Sequence, residues 1–136
     1  MTVLDTSGVV DFLVGEQCHA EVADLLQQEG TFAGPDLLVF EVVAVFRRQV
    51  QQHGMNRDRA KSAIADLGDL PLEIFPALPL RARVWELRDN LTAADAFFVA
   101  LAEQLDEPLA TKDRHLATAA KTYTSIQIIE LGSSGI

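Results

Sequence analysis

The sequence is poor in cysteine and has no long apolar run, and both shortages exclude classes of protein. A single cysteine, Cys18, rules out an internal disulfide and fits a reducing compartment. The most apolar window, residues 37–46, is too short to cross a bilayer and contains Glu41. The first residues have no basic region and include Asp5, so they do not resemble a secretory signal. We therefore expect a soluble, cytoplasmic protein without a membrane partner.

Basic residues are also in the minority. The chain has 11 Lys and Arg against 20 Asp and Glu, for a net charge of −9. This balance argues against the broad basic surface that usually drives nucleic-acid binding. It is compatible with carboxylates that gather to hold cations, which then meet phosphate groups. Composition alone does not choose between these two interpretations.

Several motifs that would define a site directly are missing. The three histidines, His19, His53 and His115, have no H-x-x-x-H spacing, and one cysteine cannot form C-x-x-C. A zinc site is therefore not expected. The chain has no Walker loop, no dinucleotide-binding glycine fingerprint and no nucleophile elbow. Any catalytic chemistry must rest mainly on the carboxylates.

With 136 residues, 49% of them hydrophobic, the chain is predicted to form one globular domain over residues 1–131. Residues 132–136 are predicted to be a short C-terminal tail. Predicted helices alternate with five predicted strands, at residues 2–5, 31–33, 72–75, 108–111 and 126–131. Gly34-Pro35 predicts a turn, and Asp36 is expected to cap the long helix that follows. This alternation predicts an α/β fold in which a parallel sheet lies between two helical layers.

Two acidic residues follow predicted strands. Asp5 ends the first strand and Asp113 follows the fourth, at the edge of a parallel sheet where ligands usually bind. Either residue could instead be the N-cap of the next helix, which explains each of them equally well when taken alone.

Glu41 and Asp95 lie on predicted helices without a basic neighbour three or four positions away. Nine of the ten residues in the window 37–46 are apolar, and a carboxylate on an apolar face is costly unless paired, protonated or bound to a cation. The alternatives are that Glu41 is exposed or reaches Arg48, and that Asp95 completes a capping box with Thr92. Four separate caps or surface charges would not explain the whole set well.

The four carboxylates predict an oxygen-lined site of the kind that suits Mg²⁺ or Mn²⁺. Such a cation lowers the pKa of a bound water and screens charge that develops on phosphorus. Without a cation, clustered carboxylates repel one another and at least one tends to stay protonated. The basic residues that could line a phosphate path are Arg47, Arg48, Lys112 and Arg114, although solubilising surface charge is the simpler explanation.

Four segments of the chain resemble PIN-domain proteins, in particular the VapC-type toxin ribonucleases of bacterial toxin–antitoxin pairs. They are Val-Leu-Asp-Thr-Ser from residue 3, Phe-Glu-Val from residue 40, and residues 90–103 and 109–116. The most specific parts are Leu-Thr-Ala-Ala-Asp and Thr-Lys-Asp-Arg-His-Leu, and the resemblance covers nearly the whole chain.

The resemblance implies a five-stranded parallel sheet and a metal-dependent endoribonuclease that hydrolyses RNA phosphodiester bonds. It implies that the catalytic and metal-binding residues are Asp5, Glu41, Asp95 and Asp113. Ser7 and Arg114 would contact the substrate or support those carboxylates. A homodimer and a cognate VapB-like antitoxin are also implied.

Other classes of protein remain as alternatives. A PIN-fold RNA-processing nuclease without a toxin role, or a non-catalytic PIN-like binding module, would share the fold. A phosphorelay receiver also places Asp at strand ends, but it needs an acidic pair near the first strand and a later Lys. A haloacid-dehalogenase-type phosphatase needs Asp-x-Asp where this chain has Asp5-Thr-Ser7. Neither of the last two explains an acidic residue in mid-helix such as Glu41.

Overall fold

The computed structural model describes residues 1–132, so the predicted tail lies outside the described residues except for Gly132. Within this range the chain forms five strands and seven α-helices. The strands are β1 (Thr2–Leu4), β2 (Phe32–Pro35), β3 (Leu72–Phe75), β4 (Leu109–Thr111) and β5 (Ile128–Glu130). The helices are α1 (Thr6–Val14), α2 (His19–Glu29), α3 (Leu37–Gln52), α4 (Arg57–Leu67), α5 (Arg81–Glu86), α6 (Ala93–Leu105) and α7 (Arg114–Tyr123).

All five strands pair in parallel, in the order β3-β2-β1-β4-β5. Every residue of β1, β2 and β4 is buried, whereas the edge strands β3 and β5 are partly exposed. Complete burial of central strands is typical of a parallel sheet covered by helices on both faces. The predicted three-layer α/β/α fold with a five-stranded parallel sheet is therefore confirmed.

The strand order places a crevice beside β1. The chain runs outward from β1 to β2 and β3 on one side, and β4 and β5 lie on the other side. In open parallel sheets, ligands bind outside the carboxyl ends of the strands where the connections diverge in this way. Leu4 pairs with Ala110, and the backbone N–H of Asp5 donates to the carbonyl of Ala110 at 3.3 Å. The ends of β1 and β4 are thus joined directly.

The predicted turn at Gly34-Pro35 was wrong, and Asp36 does not cap the next helix through its side chain. Gly34 and Pro35 belong to β2 and pair with Ile74 and Phe75 of β3, although these residue types favour turns. Pro35 lies past the last residue of β2 that pairs with β1. Asp36 does occupy the position before α3, but its backbone angles are helical, not the extended angles of a capping residue, and its side chain makes no cap bond. Its backbone N–H donates to the carbonyl of Phe75 at 2.8 Å.

Among residues 1–132 the core is aliphatic with three large aromatic side chains, Phe32, Phe46 and Phe98, all almost fully buried. Cys18 is also buried and is a free thiol. Among the helices formed by residues 1–132, none combines the length and apolar character needed to cross a membrane.

Candidate active site

Asp5 is the residue that leaves β1 and begins α1. It is the N-cap of that helix, and its Oδ1 accepts hydrogen bonds from Gly8 N at 3.0 Å and Ser7 Oγ at 3.1 Å. A Cβ atom at position 8 would lie 2.6 Å from Leu4 Cδ1, so glycine lets α1 pack closely over the end of β1. The side chain of Asp5 is therefore buried and oriented by the helix that it caps.

Thr111, the last residue of β4, connects Asp5 to Asp113. Its hydroxyl donates to Oδ2 of Asp5 and accepts the backbone N–H of Asp113 at 3.0 Å. Asp113 is in turn the N-cap of α7, where its Oδ1 accepts from His115 N at 2.9 Å and Leu116 N at 3.1 Å. Asp113 therefore caps α7 and, through Thr111, is also connected to Asp5.

Glu41 is half-buried on α3, and its partner comes from another helix. The hydroxyl of Thr6 on α1 donates to Oε1 of Glu41 at 2.6 Å. This bond explains how a carboxylate is accommodated among apolar neighbours. The predicted alternative partner, Arg48, makes no hydrogen bond or ion pair with Glu41 in the part of the chain that the structure describes.

Asp95 lies in the first turn of α6. Its backbone N–H donates to the hydroxyl of Thr92 at 3.2 Å, so the capping interaction suggested by the Thr92-to-Asp95 spacing is present. The partly buried side chain of Asp95 lines the cleft and is itself hydrogen-bonded to Thr92.

The four predicted carboxylates line one cleft of about 500 Å³, and Ser7 lines it with them. Arg114 lies elsewhere, because it is exposed on α7 and borders an adjoining opening on the other side of Asp113. Further cleft residues are Thr6, Val10, Asp11, Phe40, Ala44, Val45, Arg48, Gln49, Phe98 and Lys112.

Burial and mutual repulsion raise the pKa of two of these carboxyl groups. For Asp5 the main cause is desolvation, opposed by hydrogen bonds from Thr111, Gly8 and Ser7, and the charge of Asp95 adds to the rise. The pKa of Asp95 is also raised mainly by desolvation.

A hydrogen bond with Thr92 lowers the pKa of Asp95, while the charges of Asp113 and Glu41 raise it. The carboxylates are therefore close enough to repel one another. Such repulsion is the condition that a bound cation relieves.

Three residues that hold the site's charged side chains were not identified from the sequence. Thr6 donates a hydrogen bond to Glu41, and Thr111 donates one to Asp5. The sequence marked these threonines only by their position, since Thr6 follows Asp5 and Thr111 lies two residues before Asp113. Asp11, on α1, is buried and forms an ion pair with Lys112, with Asp11 Oδ2 and Lys112 Nζ separated by 2.8 Å. No local pattern marks Asp11, since its partner lies 101 residues away.

The donor set fits a hard divalent cation held partly through water. Among residues 1–132, no three His, Cys, Asp or Glu side chains converge closely enough in their present positions to enclose a metal ion. Mg²⁺, however, usually keeps several waters and binds through one or two carboxylates together with substrate phosphate oxygens. The four predicted ligands offer only carboxylate oxygens, and the raised pKa values of Asp5 and Asp95 indicate that they would gain from a nearby positive charge.

Fold and site together define a three-layer α/β/α protein with an acidic cleft where the neighbouring strands β1 and β4 end. The PIN domain family model matches residues 2–122. Ribonuclease VapC1 of Mycobacterium tuberculosis is 37% identical over 128 residues, which cover 93% of this chain and 96% of that protein. The chain therefore belongs to the PIN-domain family and, within it, to the VapC proteins.

Solved structures share the fold at lower sequence identity. One is VapBC2 from Rickettsia felis bound to a DNA fragment from their promoter, with a TM-score of 0.70 and 15% identity, covering 96% of this chain and 98% of that one. Another is VapBC-5 from Mycobacterium tuberculosis, a member of the VapBC family of toxin–antitoxin systems. It has a TM-score of 0.58 and 20% identity, covering 95% of this chain and 97% of that one.

Proposed function

We propose that this protein is a cytoplasmic, metal-dependent endoribonuclease that acts as the toxin of a toxin–antitoxin pair. The observation that carries the proposal is the placement of four carboxylates around one cleft, from the ends of β1 and β4 and from α3 and α6. The similarity to a protein named as a ribonuclease, 37% identical over 93% of the chain, supports the same conclusion.

The proposed reaction is hydrolysis of an RNA phosphodiester. Mg²⁺ or Mn²⁺, held among Asp5, Glu41, Asp95 and Asp113 partly through water, would activate the attacking water and neutralise charge at the phosphodiester. Asp5 and Glu41 are held in place by hydrogen bonds, so their oxygens are oriented before substrate binds. Asp95 is the candidate to accept the proton of the attacking water, because its pKa is raised and its side chain lines the cleft. The bond from phosphorus to the 3′-oxygen breaks, which leaves a 5′-phosphate and a 3′-hydroxyl.

We also propose a homodimer and inhibition by a VapB-like antitoxin. Phe40, Leu78 and Trp85 are large apolar side chains with 74%, 71% and 67% of their surface exposed, which is typical of protein-binding surfaces. Phe40 lines the cleft beside Glu41, so a partner that covered Phe40 would also cover the acidic site. The fold shared with a member of a toxin–antitoxin family supports this arrangement.

The purified protein is expected to cleave single-stranded RNA in the presence of Mg²⁺ or Mn²⁺ and to stop when EDTA is added, because the carboxylates alone repel a phosphodiester. Gel analysis of a labelled RNA measures the cleavage, and excess metal should restore it. An Asp95→Asn protein purified in parallel controls for contaminating nucleases. Cleavage that continues in EDTA and is absent from the control preparation would contradict the metal-dependent mechanism.

Expression in a bacterium is expected to arrest growth, and co-expression of the cognate antitoxin should restore it. Cell density after induction measures both effects. Arrest by an Asp5→Asn variant of equal abundance would have to come from something other than RNA cleavage. A protein that cleaves RNA but never arrests growth would instead favour the RNA-processing nuclease without a toxin role.

A further inference from the structure

The acidic cleft continues into a second opening of about 470 Å³ between α1, α3 and the start of α4, here called the flanking pocket. The far side of the flanking pocket carries Gln17, His53 and Arg59. The residues that line both openings are Val10, Asp11, Gln49 and Lys112. An extended ligand that occupies the cleft can therefore pass over the Asp11–Lys112 ion pair into the flanking pocket.

The two openings differ in charge. The cleft contains five carboxylates, from the four proposed ligands and Asp11, against the cations Arg48 and Lys112. Beyond the shared residues, the described lining of the flanking pocket has one carboxylate, Glu16, and one permanent cation, Arg59. RNA carries a negative charge on every nucleotide, so a strand that leaves the acidic centre meets less repulsion in the flanking pocket.

Lys112 lies where the cleft and the flanking pocket meet. It lines the cleft, the flanking pocket and the opening that contains Arg114. Its Nζ lies 2.8 Å from Oδ2 of Asp11, whose side chain is only 8% exposed, so the ammonium is paired with a buried carboxylate. An ammonium has three donors, and this contact uses one of them.

Arg59 is held in a similar way on the other side of the flanking pocket. Its Nη2 donates to the carbonyl of Val14 at 2.7 Å. A guanidinium has five donors, and no other hydrogen bond of this side chain occurs among residues 1–132. The remaining donors form a planar group that suits a phosphate, and the existing anchor reduces the side-chain freedom lost on binding.

We propose that the flanking pocket binds the single-stranded RNA segment next to the scissile phosphate, with Lys112 and Arg59 contacting its phosphates. The proposal rests on the ribonuclease function above and adds a substrate-binding subsite to it. Asp11 is a positioning residue, since it acts by holding Lys112 at the junction.

The subsite is tested with Arg59→Gln and a series of RNA oligonucleotides shortened from either end toward the cleavage site. For RNA long enough to fill the flanking pocket, Arg59→Gln should raise KM roughly tenfold, as for the loss of one charge-assisted hydrogen bond, with kcat unchanged. For RNA too short on that side, the variant should match the wild type. Arg81→Gln is the control, because Arg81 is also exposed and also donates one bond to a backbone carbonyl, that of Leu78 at 3.0 Å.

A binding measurement separates this proposal from the proposed reaction. Fluorescence anisotropy of labelled RNA with an Asp95→Asn protein in Mg²⁺ should show that adding Arg59→Gln reduces the slope of log affinity against log salt by about 0.7, the value for one phosphate contact with a single strand. Adding Arg81→Gln should leave the slope unchanged.

Equal effects of Arg59→Gln on short and long RNA, or equal salt slopes for the two arginine variants, would overturn the subsite. RNA that binds with the predicted slopes but is never cleaved by the wild type would overturn the ribonuclease proposal and leave the RNA-binding subsite standing.

Discussion

Replacing Asp95 with asparagine is expected to lower kcat for RNA cleavage at least about a hundredfold while the protein keeps its fold. Asparagine has nearly the same shape, and the capping bond to Thr92 uses the backbone N–H of residue 95, so α6 should begin at the same place. The substitution removes a proposed cation ligand and the proposed proton acceptor together. Initial rates at saturating RNA and metal measure the loss, and circular dichroism checks the fold.

Asp106→Asn is the matched control, since it makes the same change at the other end of α6. Asp106 is exposed and has φ 52°, a left-handed conformation that asparagine adopts readily. Its activity and melting temperature should equal those of the wild type. If Asp95→Asn retained full kcat with metal present, Asp95 would be only part of the helix cap.

A divalent cation is expected to stabilise the fold because it relieves repulsion around Asp5 and Asp95. A cation that binds only the folded state, at ~100 times its dissociation constant, adds ~2.7 kcal/mol to the free energy of unfolding. For a domain of this size, that gain should raise the melting temperature by roughly 2–8 °C. Thermal melts in EDTA and in millimolar Mg²⁺ or Mn²⁺, at constant ionic strength, measure the rise.

The same repulsion gives the stability a pH dependence in EDTA. The folded-state pKa of Asp95 is raised above its usual value, mainly by desolvation. The contribution of this group to the free energy of unfolding is therefore fully present below that usual value and is lost as the pH rises through the folded pKa. Asp95→Asn should therefore become more stable relative to the wild type as the pH increases from about 4 to 7.

Added metal should reverse this advantage, because the variant has lost a ligand. Asp106→Asn should show neither trend. Identical melting temperatures of the wild-type protein in EDTA and in metal would mean that the carboxylates do not share a cation.

The sequence allowed the architecture and the four acidic residues to be predicted because both depend on local patterns. Alternating strand and helix signals predict a parallel sheet, and parallel strands bring Asp5 and Asp113 to the same edge. The absence of a basic residue three or four positions from Glu41 indicated that its carboxylate must be paired, protonated or bound to a cation. The partner itself, Thr6, could not be predicted, because it lies 35 residues away on another helix.

Local patterns also failed where tertiary contacts outweighed them. Gly34 and Pro35 are turn-forming residues, yet they complete β2 because β3 lies beside them and offers backbone hydrogen bonds. Asp36 has the residue type of a helix cap and lies directly before α3, but the hydrogen bond from its N–H to the carbonyl of Phe75 joins it to β3, and with helical backbone angles its side chain makes no cap bond. The preference of a single residue for a turn or a cap contributes less to the free energy of folding than the pairing of a whole strand.

The sequence by itself determined the parallel α/β/α fold and the acidic character of the site, since these follow from hydrophobic periodicity and from which residues end each strand. Only the tertiary structure decided which side chains hold the carboxylates and where the cleft continues. Thr111 reaches Asp5 across 106 positions of sequence, and Lys112 reaches Asp11 across 101. Such contacts arise when β4 is inserted beside β1, and no pattern within either segment encodes the identity of the partner.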